Sequence, residues 1–152
     1  MFFESIFNLT DRIAKLDEGL LLRNFVSIPA VQKFILDLNR TDQLFNKGVD
    51  SKNKALGIYT PYTINSKEER GVPVPSDFHI TLFDTGEFYS TFVIIPGKDF
   101  FEIDANPIRE DSNLFEDFGE DILGLNDENL QVLIDFFKET IQLRVREQLR
   151  LL

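Results

Sequence analysis

The run Leu82-Phe83-Asp84-Thr85-Gly86-Glu87-Phe88-Tyr89-Ser90-Thr91-Phe92-Val93-Ile94-Ile95-Pro96-Gly97 places two turn signals around the longest strand candidate in the chain. Asp84-Thr85-Gly86 reads as the turn that closes a short strand, Phe78 to Leu82, with Gly86 suited to a positive φ. Phe88 to Ile95 is the strand that follows. Pro96-Gly97 supplies the Pro-then-Gly order of a type II turn, and Phe100 to Ile103 returns. The expectation is a small antiparallel β-meander of three strands. Its middle strand is apolar on both faces, with Phe88, Phe92 and Ile94 on one and Tyr89, Val93 and Ile95 on the other. Small antiparallel sheets normally keep one face wet. Either helices cover both faces here, or a neighbouring subunit covers one.

Helical patterns flank this region. Asn126 is a good N-cap, Asp127 and Glu128 suit a first turn, and the stripe Leu130, Ile134, Phe137, Ile141, Val145, Leu149 predicts a long C-terminal helix packed on the sheet. At the other end, Phe2, Ile6, Leu9, Ile13, Leu16 and Leu20 recur at steps of four and three, predicting a helix from about Phe3 to Arg23. Such a stripe most simply lies on its own core. A coiled-coil contact is the minority reading, because about three heptads is the lower limit for one. Pro29 opens a second helical pattern through Val31, Phe34, Leu38 and Phe45. The run Phe34 to Leu38 also reads as a short strand, with Thr41 capping a brief helix, and the helical reading is preferred. Residues 47–76 are punctuated by Gly48, Asp50, Asn53, Gly57, Pro61, Gly71, Pro73 and Pro75, and they read as a long loop, functional or mobile. The fold class expected is α+β, one domain over residues 1–152.

Composition narrows the function. A chain of 152 residues suits one domain with a real core, and its 43% hydrophobic content argues against wholesale disorder. There is no apolar run long enough to span a membrane, no basic-then-apolar leader, and no cysteine for disulfides or thiolate metal sites. A cytoplasmic site of synthesis is expected. A net charge of −10 argues against sequence-specific nucleic-acid binding. Between Glu102 and Glu128 ten acids stand against one base, Arg109, whereas the tail carries Lys138, Arg144, Arg146 and Arg150. This asymmetry reads as a solvated acidic face with a helix end that suits its dipole. Its sharper readings are head-to-tail packing of copies, or an acidic surface past which DNA slides.

No chemistry-bearing constellation stands out. His79 is the single histidine, and with Asp84 and Ser90 it matches no known triad spacing. Glu102 and Asp104 share a strand face, but acid–base or metal work would need them to converge in one cleft, for instance with Asp84. Gly119 and Gly124 form no phosphate loop, and Glu116 to Asp121 lacks the order of a calcium loop. No enzyme activity, catalytic residue, cofactor or metal is assigned.

Three stretches together resemble the phage virion-morphogenesis proteins. Residues Gly48-Val49-Asp50-Ser51-Lys52-Asn53-Lys54-Ala55-Leu56-Gly57-Ile58-Tyr59-Thr60-Pro61-Tyr62-Thr63, with Lys67 beyond, are similar to that family's "Asp-x-x-Gly-Lys, aromatic, x-Pro-x-Thr, Lys" stretch, with Asn53 where Gly is usual. Leu82 to Ser90 resembles its "Leu-x-x-Thr-Gly-x-Leu-x-x-Ser" turn and strand. Ile122 to Leu130 resembles its "Phe-Leu-Gly-Leu-Ser-x-Glu-Asp" entry to the last helix. The resemblance implies a tail-completion or head–tail neck (connector) protein of the virion. It would form a ring homo-oligomer that joins portal or adaptor proteins to the tail, assembled in the bacterial host, with DNA passing through the lumen. Within that picture Tyr59, Tyr62, Asp84, Thr85, Gly86, Phe88, Tyr89, Phe92 and Leu125 are the candidate interaction residues, and residues 47–76 form an arm that orders on a partner. The alternative is an acidic inhibitor or decoy that binds a basic partner such as a nucleic-acid enzyme.

Overall fold

A computed structural model describes residues 18–150. The stripe from Phe2 to Leu16, and any coiled-coil contact built on it, lies outside the described residues. Helix α1 (Glu18–Val26) runs three residues past the expected end at Arg23. Pro29 then starts α2 (Pro29–Asp37) at a position where its missing N–H costs nothing. The helical reading of this segment holds, and its continuation is a π-helix over Leu38–Lys47. Gly48 stops that helix in a left-handed conformation (φ 62°), and a Cβ there would lie 2.6 Å from the His79 ring.

Residues 47–76 are more structured than their composition suggests. Helix α3 (Pro61–Glu69) occupies the polar run, capped by Thr60, whose hydroxyl accepts from the Thr63 N–H at 3.2 Å. The Thr-Pro start signal was present, but α3 has almost no apolar periodicity to announce it. The arm expected here is instead a helix-bearing segment bonded to the body.

The first arm of the meander is not a strand. Phe78 and Leu82 have φ of 59° and 56°, outside the range of β structure, and the segment makes one isolated bridge, Ile58 with His79. Gly86 does take a positive φ, 86°, but it precedes a helical turn, α4 (Glu87–Ser90), where a strand was expected. Only the second half of the long apolar run is extended. Strand β1 (Val93–Pro96) pairs antiparallel with β2 (Phe101–Asp104) in the register Val93↔Asp104, Ile94↔Ile103, Ile95↔Glu102, Pro96↔Phe101. The turn sits beyond Pro96, closed by the Gly97 N–H to Phe100 carbonyl bond at 2.7 Å. The sheet is therefore a two-stranded hairpin inside an α+β domain.

Short helix α5 (Leu114–Phe118) and a 3₁₀ turn (Glu120–Ile122) lead to α6 (Asp127–Arg150). Asn126 caps α6 as expected, its Oδ1 accepting from the Asn129 N–H at 2.9 Å. The buried stripe of α6 is rotated from the expected one, however. Asn129 and Leu133 are buried and Phe137 half-buried, while Leu130 and Ile134 face solvent.

Two apolar clusters share the hairpin. One gathers Phe25, Val26, Val31, Ile35 and Leu133; the other gathers Leu36, Leu44, Phe88, Phe92, Ala105 and Ile122. Ile94 and Ile103, opposite each other on the inner face, pack on both. The outer face presents Val93, Ile95, Glu102 and Asp104 to solvent, so helices cover one side of the hairpin and leave the other bare. Among the described residues no single helix is long and apolar enough to cross a membrane. The α1 segment and the α2–π-helix segment pass together by length and composition, but they are bent by 83°. Their residues Phe25, Val26, Val31, Ile35 and Leu44 are buried in the two clusters.

Candidate functional site

Two of the three stretches in the family resemblance meet around Lys67, a lysine whose side chain is only 5% exposed. Burying an ammonium demands partners, and three groups supply them. Its Nζ donates to the Phe83 carbonyl at 2.5 Å, lies 3.4 Å from Asp84 Oδ1, and sits 4.9 Å from the centre of the Tyr59 ring. Arg70, one turn on from Ser66, clamps Asp84 with both guanidinium ends at 2.8 and 3.0 Å. That clamp is the main cause holding the Asp84 carboxyl below the usual range, assisted by the Lys67 charge.

The tyrosines extend the network. Tyr59 Oη lies 3.0 Å from the Thr81 hydroxyl and accepts from the Thr81 N–H at 3.1 Å. Tyr89 Oη donates to the Thr81 carbonyl at 2.5 Å, and burial pushes its phenol well above the ordinary value. Thr85 accepts from the Glu87 N–H at 3.3 Å and so fixes the start of α4 behind Gly86. Tyr59, Lys67, Arg70, Asp84 and Thr85 border a groove of about 630 Å³ that also takes in Phe118 and Arg109, with Thr81 and Tyr89 behind its wall. Arg109 stacks 5.2 Å over the Phe88 ring and approaches Glu87 at 3.4 Å.

The candidate residues therefore divide. Tyr59, Asp84, Thr85, Gly86 and Tyr89 converge on one network, and Tyr62 stands 83% exposed on α3 beside it. Phe88 and Phe92 are core, not shared surface: the helical turn at α4 puts them four apart on one side, rings 5.0 Å apart. Leu125 packs, half-buried, on the cluster around Leu133. Asp84 borders the Lys67 groove while Glu102 and Asp104 border another, so the three carboxylates share no cleft. His79 is held at both ring nitrogens, by Asp77 Oδ1 at 2.6 Å and the Phe45 carbonyl at 2.8 Å, which is a structural post. Among the described residues no group of three or more His, Asp or Glu is placed to hold a metal ion.

The third stretch is tied in through polar side chains that hydrophobic patterning passes over. Asn39 and Gln43 project from the π-helix, fully buried. Asn39 donates to the Ile122 carbonyl and accepts from the Gly124 N–H; Gln43 donates to the Gly124 carbonyl and accepts from the Asn126 N–H. Asn129 adds bonds to Gln43 Oε1, the Leu38 carbonyl and Asp42. Asn126 reaches across to Asn53 Oδ1 at 2.9 Å. Asn53 adopts φ 62°, which a glycine accepts freely and an asparagine tolerates, and Asp50 Oδ1 fixes the turn by accepting from Lys52 and Lys54. Two amides four apart on an otherwise apolar helical face were the available signal for this lock.

No known protein family, curated protein or solved structure matches the chain.

Proposed function

We propose that this chain is a structural virion subunit, a phage tail-completion or head–tail neck (connector) protein that works by assembling into a ring. The observation that carries the reading is a tightly locked frame that leaves large apolar side chains bare on two surfaces. Val93, Ile95 and Phe100 lie open on the hairpin, and Leu130, Val132, Ile134 and Leu143 lie open along α6. Bare apolar surface of this kind marks contacts with other proteins. The motif-like residues support the same reading, because Lys67 ties Asp84 to Tyr59 and Asn53 is tied to Asn126 within the frame. In the ring, copies contact one another and the portal or adaptor side and tail side. The net charge of −10 suits a lumen that passes DNA without holding it. Assembly takes place in the host bacterial cytoplasm, and the product resides in the virion.

The test is the solution mass of the purified full chain, alone and with purified neck components, with electron-microscope images of what forms. Discrete rings under either condition are expected. A monomer that ignores neck components and binds one basic enzyme tightly would replace this reading with the acidic inhibitor.

A further inference from the structure

The acid-rich segment and the basic helix end, which the sequence sets apart, carry opposite charge beside exposed apolar groups. A groove of about 640 Å³ runs beside β2 and the loop before α6, with Ile95, Phe101 and Leu123 in its lining and Glu102, Asp104 and Glu120 at its rim. Among the described residues none of those three carboxylates has a cationic partner; a fourth lining acid, Asp121, is held by Lys52 at 2.8 Å, and Lys33, Arg40, Lys47, Lys67, Arg70 and Arg109 are paired with acids away from the groove. The complementary charges lie on α6. From Gln142 onward every residue whose side chain is described is exposed, so this end of the helix stands clear of the body. It carries Leu143, 59% exposed, with Arg146 one turn beyond it on the same face and Arg144 beside it. Neither arginine has an acid partner among the described residues.

We propose that the end of α6 of one copy docks in the β2 groove of the next, Leu143 entering the apolar lining and Arg144 and Arg146 meeting the rim acids. A second copy is the occupant because one chain carries both unpaired halves, in opposite charge and on different surfaces. Such a contact is heterologous, which is the kind that propagates into a ring. The alternative of β2 pairing edge to edge with another β2 is disfavoured, since it would set Glu102 and Asp104 against their like. The inference deepens the ring reading and rests on it.

Charge reversal on the full chain tests it. Arg144→Glu with Arg146→Glu, and separately Glu102→Lys with Glu120→Lys, are each expected to weaken self-association by roughly tenfold or more. Combining all four in one chain is expected to restore it. Wild-type association is expected to fall as salt is raised from about 0.05 to 0.5 M. All four positions are exposed, and a thermal melt of each variant checks that the fold is kept. If the wild type forms rings and both reversed variants form them equally well, or the combined variant fails to recover, this docking is wrong while the ring reading stands. A wild type that stays monomeric even with neck components removes both.

Discussion

Asp84 shows how a half-exposed carboxylate contributes through the cations around it, Arg70 first and Lys67 behind it. Its folded pKa lies below the unfolded value of about 3.9, because the Arg70 guanidinium and then the Lys67 charge favour the ionised form. A group shifted this way stabilises the fold above its unfolded pKa and loses that contribution as pH falls through its folded pKa. The side chain is 52% exposed, so solvent screening keeps the figure small. Asp84→Asn is expected to lower stability by about 1 kcal/mol at pH 7, with the gap to wild type closing by about pH 2. Urea melts at the two pH values check this, and a gap that persists in acid would mean the carboxylate's charge is not its source. Tyr59 and Tyr89 act on the same segment from the other side, both through Thr81. The resemblance drew attention to these residues. Their roles as internal ties required the positions of Phe83 and Thr81, which sequence spacing does not supply.

At the scale of elements, α6 separates what pattern can show from what it cannot. Its start was legible because Asn126, Asp127 and Glu128 act locally. Its buried face was not, because the first turns are held by Asn126 and Asn129 bonding to the π-helix, and the apolar stripe through Leu130 and Ile134 is one step off that face. Leu133→Ala is therefore expected to cost about 2–4 kcal/mol. Leu130→Gln with Ile134→Gln should cost under about 1 kcal/mol together. Chemical denaturation of the variants decides between the two faces, and a large loss for the glutamine pair would restore the original stripe. The hairpin was half legible for a related reason. Period-two alternation continues through Phe88 to Ile95, but Gly86 at φ 86° launches a helical turn, and the two phenylalanines four apart satisfy a helix as well as a strand. Phe78 and Leu82 could not have been placed at positive φ from sequence, since side chains of that size adopt it only where surrounding contacts impose it, at about 1–3 kcal/mol each.

Across the whole molecule, the α+β class and the long last helix were readable from patterning, and of the expected three-stranded meander only the last two-strand pairing was. The two-cluster core was not, because it depends on which faces of α2, the hairpin and α6 meet. Apolar surface left outside those clusters is where contacts with other copies would form under the proposed assembly. Ile95→Thr with Phe100→Ser is expected to reduce self-association at least about tenfold while changing monomer stability by under ~1 kcal/mol, as ordinary for exposed positions. Sedimentation and thermal melts read the two effects separately, and a large stability loss with intact association would assign this surface to the fold. The π-helix carries a consequence of another kind. It closes hydrogen bonds over five residues where an α-helix closes them over four. Deleting one residue within positions 38–47 would let the segment wind as α and re-aim the side chains that it now turns inward. Gln43 would then leave Gly124 and Asn126, and the final helix would lose its anchor. The length of this one segment is thus an inheritable character: a descendant one residue shorter here must hold its last helix by some other means, and an insertion or gap in kindred sequences should travel with the fate of Asn39 and Gln43.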